Sequence, residues 1–173
     1  MVTLNGSEIL PTTPPFSGSG TDTGNTRTLS VLYVDESPAL ANLICMYLDR
    51  NGEMMVDTSQ SVEEAMNKLR YISYDVIVTD YNSREKKGNE LLRNVRAKGR
   101  RIPFVYFVLF RVTEYEDEAQ QLGQVSFIEK MGNSGANFTK LRQAILQAVQ
   151  EDRNRAVVCA EQSAAKLDGV VKS

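Results

Sequence analysis

Four charged residues lie at the points where apolar segments of the chain end. Asp35 and Glu36 follow one apolar run, Asp80 follows a second, and Lys130 follows a third. Carboxylates and an ammonium group around one space are suited to receiving a phosphoryl group, because that transfer depends more on positioning and charge neutralisation than on proton transfer. Asp80 would be the nucleophile and would form an acyl phosphate. Taken alone, Asp80 also fits a residue that begins a loop or caps a helix, so this simpler interpretation stays open.

The acidic residues predict a site for a cation. If the first and third strands are neighbours, Asp35, Glu36 and Asp80 share one pocket, because adjacent strands lie about 4.8 Å apart. Like charges at that separation are unfavourable unless a cation joins them. Mg²⁺ is the expected occupant, because it prefers oxygen ligands and keeps several of its waters. Lys130 lies two strands from Asp80, roughly 10 Å away at the backbone, and its long side chain can largely cross that gap.

The alternation of strand-like and helix-like segments predicts the scaffold that would bring these residues together. The strands are continuous apolar runs, which is typical of strands buried on both faces. The predicted fold class is α/β, a flavodoxin-like doubly wound five-stranded parallel sheet in the order 2-1-3-4-5 with helices on both faces. The predicted strands are Ser30–Val34, Met54–Thr58, Val76–Val78, Pro103–Phe110 and Val125–Glu129.

Local signals predict where several helices begin and end. Ser37-Pro38 is typical of an N-cap followed by proline in the first helical position, and Asn51-Gly52 ends that helix. Ser61-Val62-Glu63-Glu64 is a capping box that opens the next helix. Lys86-Lys87, in the polar segment after Asp80, is interpreted as part of a solvated loop.

The composition divides the chain into three parts. Residues 1–28 are rich in Gly, Ser, Thr and Pro and have too little apolar surface to fold alone, so we expect a disordered N-terminal tail. Residues 29–150 contain all the predicted strands and form one domain. Residues 151–173 form a C-terminal helical extension or a tail, and the sequence leaves these two alternatives open.

Overall composition excludes several function classes. A net charge of -2 over 173 residues argues against a nucleic-acid-binding face. The chain has no histidine, which excludes Ser-His-Asp triads and His-ligated zinc within it. Two distant cysteines, Cys45 and Cys159, form neither a metal knuckle nor a disulfide framework, so we expect a reducing, cytoplasmic setting. No apolar run is long enough to span a membrane, and no signal peptide or anchor is expected.

Over about residues 29–150 the sequence resembles the receiver domain of two-component response regulators. Each motif is weak alone, but four of them in order at family-like spacing are strong together. The ending from Lys130 also resembles a form common among archaeal receivers. The motifs are Val-Leu-Tyr-Val-Asp35-Glu36, then Asp75-Val-Ile-Val-Thr-Asp80-Tyr-Asn82 with Gly88 eight residues after Asp80, then Ile102-Pro103-Phe104, and finally Phe127-Ile-Glu-Lys130.

The resemblance implies a role for each matched residue. Asp80 matches the phosphoacceptor aspartate, and Lys130 matches the lysine that pairs with the phosphoryl group. The resemblance implies Mg²⁺ as cofactor, held by Asp35, Glu36, Asp80 and the backbone carbonyl of Asn82. Phe127 occupies the aromatic switch position. The phosphoryl donor implied is a sensor histidine kinase or a phosphotransfer protein, and the histidine belongs to that partner.

The sequence departs from the family pattern at the end of the fourth strand. Val108 stands where the family has Thr or Ser, and it lacks the hydroxyl that would hydrogen-bond a phosphoryl oxygen, a bond worth about 1.5–3 kcal/mol. Leu109 stands where a small residue is usual and is expected to crowd the site. Coupling of this position to Phe127 is therefore in question.

Two hypotheses follow for function. In the first, the chain is a response regulator that is phosphorylated on Asp80 and signals by contact with a downstream protein that the sequence does not identify. In the second, it is a pseudo-receiver, an interaction module that works without phosphorylation. Neither is an enzyme beyond self-phosphorylation and autodephosphorylation at Asp80. A phosphatase with an Asp nucleophile is disfavoured because Asp80-Tyr81-Asn82 lacks the second acid. No nucleic-acid or membrane partner is expected, and a homodimer stays open.

Overall fold

The computed structural model describes residues 27–80, 87–130 and 134–170. Of the segment 1–28, for which the sequence predicts a disordered tail, residues 1–26 lie outside these ranges. Thr28 donates from Oγ1 to the carbonyl of Gly52 at 3.1 Å, and the Arg27 guanidinium lies 3.5 Å from the Asp75 carboxylate. The first described residues are therefore attached to the domain by polar contacts.

Five parallel strands form one sheet in the order β2-β1-β3-β4-β5, which confirms the predicted order. The strands are β1 (Leu29–Val34), β2 (Met54–Ser59), β3 (Val76–Thr79), β4 (Phe104–Val108) and β5 (Val125–Glu129). The helices of the described residues are α1 (Pro38–Leu48), α2 (Val62–Tyr71), α3 (Lys87–Ala97), α4 (Thr113–Leu122) and α5 (Ser134–Val170).

Both faces of the sheet are buried, which explains why its central strands read as continuous apolar runs. Successive side chains of a strand point to opposite faces. In β1, Val31 and Tyr33 pack against α1 and α5, whereas Leu32 and Val34 pack against α2, α3 and α4. Burying one such aliphatic side chain contributes about 1.5–3 kcal/mol. The sheet therefore holds its strand ends at fixed positions.

The predicted helix starts are confirmed, with one difference in detail. Ser37 caps α1 by accepting from the Leu40 backbone N–H at 3.3 Å. In α2, Ser61 Oγ accepts from the Glu64 N–H at 3.1 Å. The Glu64 carboxylate accepts from the N–H of Gln60 at 2.9 Å, whereas a capping box would return to Ser61 itself. The hydrogen bond that Glu64 accepts is therefore displaced by one residue, from the N–H of Ser61 to that of Gln60.

Strand β4 is shorter than the sequence predicts. Its predicted range ends at Phe110, but pairing with β5 ends at Val108, which lies opposite Glu129. Beyond that pair the backbone has no neighbouring strand on this side. Leu109 and Phe110 leave the sheet, and their side chains are 61% and 59% exposed. The apolar run thus continues past the strand into a loop.

Helix α5 continues without a break through residues 151–170, part of the segment 151–173 for which the sequence left a helical extension or a tail open. Its predicted apolar stripe is buried against β3, β4 and β5. Past the stripe, Asp152 accepts a hydrogen bond from Gln124 Nε2 at 2.9 Å, and Val157 and Val158 are exposed. Neither α5 nor any other helix in the described ranges is long and apolar enough to cross a membrane. The stripe consists of Leu141, Ala144, Ile145, Ala148 and Val149.

A cluster of polar groups fastens β2 to the start of β3. Asp57 accepts hydrogen bonds from Lys68 Nζ at 2.7 Å and from the Tyr74 hydroxyl at 2.6 Å. Burial alone would raise the pKa of Asp57, but the hydrogen bonds from Lys68 and Tyr74 outweigh it and hold the pKa below its usual value. The charged form of Asp57 is thus favoured by folding.

Replacing Asp57 by Asn should lower the free energy of unfolding at neutral pH by about 1 kcal/mol, the upper range for a partly exposed pair. A folded-state pKa below the unfolded one gives stability that is present above the unfolded pKa and is lost as pH falls through the folded one. The difference between variant and wild type should therefore shrink below about pH 4. Urea unfolding at several pH values measures it. Glu161→Gln, on the exposed part of α5, is the control, and a pH-independent difference for Asp57→Asn would contradict the prediction.

Candidate functional site

The carboxyl edge of the sheet brings together charged residues from three strand ends. Val34 of β1 is paired with Thr79 of β3, so Asp35 and Asp80 leave the sheet side by side. Lys130 follows β5, and its backbone N–H donates to the carbonyl of Val108 at 2.7 Å. The sheet alone therefore directs two carboxylates and one ammonium to the same edge.

The ammonium group of Lys130 lies between the two carboxylates. Its Nζ is 2.8 Å from Asp80 Oδ2 and 3.9 Å from Asp35 Oδ2. All three side chains are at most 17% exposed, so water screens their interaction less than at the surface. Lys130 Nζ also lies 5.0 Å from the ring centroid of Phe107, a cation–π contact. Lys130 is thus held in position on two sides.

Asp35 is held by hydrogen bonds that the sequence did not reveal. Its Oδ2 accepts from the Tyr33 hydroxyl at 2.8 Å, and its Oδ1 accepts from the Ser37 N–H at 2.8 Å. Burial and then the negative charge of Asp35 raise the pKa of Tyr33, so its hydroxyl stays protonated and remains a donor. The available signal was the spacing, because residues two apart on a strand share a face.

Glu36 lies at the same edge but is engaged by a different lysine. Lys87 Nζ is 2.6 Å from Glu36 Oε1. Both side chains are partly exposed, 34% for Lys87 and 56% for Glu36. The interpretation of Lys87 as a solvated loop residue is wrong, because the residue begins α3 and the first turn of that helix faces the site. Lys86 lies outside the described residues.

These acidic groups line a cavity of about 330 Å³ that opens to solvent. Asp35, Glu36, Asp80 and Lys87 provide charged groups along its wall, and Leu109 provides apolar surface. Asn82, predicted to contribute a backbone carbonyl, lies outside the described residues. The cavity is large enough for several waters or a phosphate-sized group.

The two predicted switch positions lie on the same face of the sheet. Val108 is fully buried among the side chains beneath α3 and α4. The ring of Phe127 stacks on Tyr106 at a centroid distance of 5.0 Å, and the Arg111 guanidinium lies 5.5 Å from the centroid of the same Phe127 ring. The Tyr106 hydroxyl donates to Asn89 Oδ1 at 2.9 Å. Tyr106 and Arg111 therefore both contact the ring of Phe127.

Asn89 was not predicted as a structural residue, yet it connects three elements. It is 1% exposed and accepts from Tyr106 of β4. Its Nδ2 donates to the carbonyl of Tyr115 at 3.0 Å and to Glu118 at 2.9 Å, both in α4. The neighbouring Gly88 packs so closely that a Cβ there would lie 2.7 Å from the backbone oxygen of Asp80. The first turn of α3 thus links the site to α4.

The oxygen-rich edge fits a magnesium ion of the kind that keeps most of its waters. Such an ion needs only one or two carboxylates from the protein. Asp35 and Asp80 share Lys130, so their oxygens face one space. Within the described ranges no three His, Cys, Asp or Glu side chains already form a metal-binding cluster. The carboxylate oxygens of Asp35 and Asp80 are nevertheless of the kind that Mg²⁺ prefers.

Together, a flavodoxin-like sheet in this strand order and this charged edge define a receiver-type signalling domain. The family described as response regulator receiver domain matches residues 31–163, and the chain belongs to that family. Receiver domains are generally signalling modules rather than enzymes. They typically bind Mg²⁺ at the phosphorylation site and interact with histidine kinases or phosphotransfer proteins.

Two solved structures and one curated protein are similar to this chain. The Francisella response regulator 1452 receiver domain has a TM-score of 0.62 at 21% identity and covers 72% of this chain and 99% of its own. FixJ-N has a TM-score of 0.62 at 27% identity, and the match covers 72% of this chain and 95% of FixJ-N. A protein-glutamate methylesterase/protein-glutamine glutaminase of Treponema denticola is 30% identical over 121 residues, which are 68% of this chain and 32% of that protein. The chain thus spans about a third of the length of this curated relative.

Tyr33→Phe should lower the free energy of unfolding by about 1.5–3 kcal/mol, because it removes a hydrogen bond to a partly buried charged group. Tyr47→Phe is the matched control, since the Tyr47 hydroxyl is paired with the neutral hydroxyl of Thr139 at 2.7 Å on the surface. The Tyr47→Phe control should lose less unfolding free energy than Tyr33→Phe. Urea denaturation of both variants measures the difference, and equal losses would show that the bond to Asp35 carries no additional stability.

Proposed function

We propose that this domain accepts a phosphoryl group on Asp80 from a phosphohistidine of a partner protein. The observation that carries the proposal is the 2.8 Å contact between Lys130 Nζ and Asp80 Oδ2, with Asp35 Oδ2 only 3.9 Å from the same ammonium. A carboxylate next to one fixed cation and one further acid fits phosphoryl transfer, in which positioning and charge neutralisation dominate.

In the proposed transfer, a carboxylate oxygen of Asp80 attacks the phosphorus atom. The new P–O bond forms as the P–N bond to the partner's imidazole breaks, and the imidazole nitrogen takes the electron pair. Lys130 then pairs with the oxygens of the acyl phosphate as well as with the remaining acids. Mg²⁺, when bound by Asp35, Glu36, Asp80 and Asn82, would neutralise charge on the transferring group.

The donor we propose is a sensor histidine kinase or a phosphotransfer protein in the cytoplasm, with output by contact with a downstream protein. The free thiols of Cys45 and Cys159 fit a reducing compartment. The net charge of -2 gives no support for nucleic-acid binding. A homodimer remains compatible with this function.

Acetyl phosphate or phosphoramidate with Mg²⁺ should add one phosphate to the protein, and intact mass spectrometry detects it. Asp80→Asn should gain none, because the nucleophile is lost. Asp117→Asn, an exposed acid on α4, should be labelled as the wild type is. A wild-type protein that stays unlabelled under conditions that label another receiver domain would refute the proposal.

Val108 is the residue that favours the pseudo-receiver alternative, because its buried side chain cannot hydrogen-bond a phosphoryl oxygen. The acids and Lys130 retained at the edge support phosphorylation over the interaction-only hypothesis. Retained acids together with the missing hydroxyl predict a domain that is phosphorylated on Asp80 and changes conformation only weakly in response.

Val108→Thr should increase the change in the amide NMR spectrum on addition of beryllofluoride and Mg²⁺, and should cost about 1–2 kcal/mol of stability, because a hydroxyl enters an apolar site. Val105→Thr is the matched control, since Val105 lies in the same strand but packs on the opposite face of the sheet. A response no larger in Val108→Thr than in the control would mean that the missing hydroxyl does not limit switching.

A further inference from the structure

The ion pair between Lys87 and Glu36 sets the charge balance of the cavity. Of the described side chains at this edge, Asp35, Glu36 and Asp80 carry three negative charges, and Lys87 and Lys130 carry two positive charges, which leaves one negative charge. Without Lys87 the same groups would leave two negative charges. A divalent cation is therefore attracted less strongly by this edge than its three acids alone would predict.

The position of Lys87 follows from the packing of α3. Lys87 is the first residue of the helix, and the next residue is Gly88. A Cβ at Gly88 would lie 2.7 Å from the Asp80 backbone oxygen and 3.0 Å from the Tyr106 ring, so the first turn of α3 lies directly against the strand end. Lys87 thus starts from a fixed backbone position near the acids, and only its side-chain rotamers remain to be ordered when it reaches Glu36.

We infer that Lys87 is an internal competitor of Mg²⁺ for Glu36, an inference that rests on the proposed function. The ammonium group occupies Glu36 Oε1 at 2.6 Å, and a metal ion bound by the same carboxylate would repel it. Lys87 has to leave Glu36 before that carboxylate becomes a ligand. Because the pair is partly exposed, this release is reversible and its cost is modest.

Competition of this kind makes the affinity for Mg²⁺ depend on the charge at position 87. Removing the charge frees Glu36 and removes the repulsion, so affinity rises. Retaining the charge in a different side chain leaves the affinity low. A purely structural role of Lys87 would predict the opposite outcome, because loss of the contact would disorder Glu36 and weaken metal binding.

The test is a Mg²⁺ titration of the full chain at constant ionic strength, followed by amide NMR. Lys87→Gln should bind Mg²⁺ about three- to fivefold more tightly than wild type. Lys87→Arg should stay within about twofold of wild type, because it keeps the charge. Lys98→Gln, an exposed lysine just after the far end of α3, should also stay within about twofold, because its charge is distant and screened.

A second measurement follows Lys87 itself. On Mg²⁺ binding to the wild type, the ε-methylene signal of Lys87 should move toward that of the exposed Lys98. Equal Mg²⁺ affinity in wild type and Lys87→Gln, or weaker binding in Lys87→Gln, would overturn the inference and leave the proposed phosphorylation intact. No Mg²⁺ binding by any variant would overturn both the inference and the metal part of the proposed function.

Discussion

Two carboxylates that leave neighbouring strands side by side repel each other, and this domain places a lysine between them. The pairing of β1 with β3 brings Asp35 and Asp80 together, and Lys130, which reaches them from β5, offsets one of their two negative charges. None of the three side chains is well exposed to water, so the attraction acts at short range with little screening. The remaining groups at this edge, Tyr33 and the first turn of α3 among them, are arranged around this contact.

Much of this arrangement could be predicted from the sequence because it depends on rules of parallel sheets. Strands buried on both faces appear as continuous apolar runs, and residues that follow such strands gather at one edge. The strand order and the proximity of Asp35, Asp80 and Lys130 follow from these rules. The catalytic and metal-binding roles given to them stay predictions, and Asn82 lies outside the described residues.

Side-chain contacts that depend on packing could not be predicted in the same way. Tyr33 belongs to an apolar run, so its hydroxyl was not expected to hold Asp35. Lys87 follows a polar segment, and only the start of α3 at this residue directs it to Glu36. Asn89 resembles a surface residue of a helix, yet it is buried because the Tyr106 hydroxyl needs an acceptor there. The end of β4 was missed because apolar residues continue beyond the last pair with β5.

Helix α5 begins near the charged edge and continues past the opposite edge, where Asp152 meets Gln124. With 37 residues it is about 55 Å long, and the part after residue 150 extends about 30 Å. The part after residue 150 lies beyond the buried stripe, so a rotation of about 5° where it leaves the sheet displaces its tip by about 3 Å. A rotation too small to disturb the core near Lys130 would thus produce a larger displacement at the distal end of the helix, on the side of the molecule away from the acids.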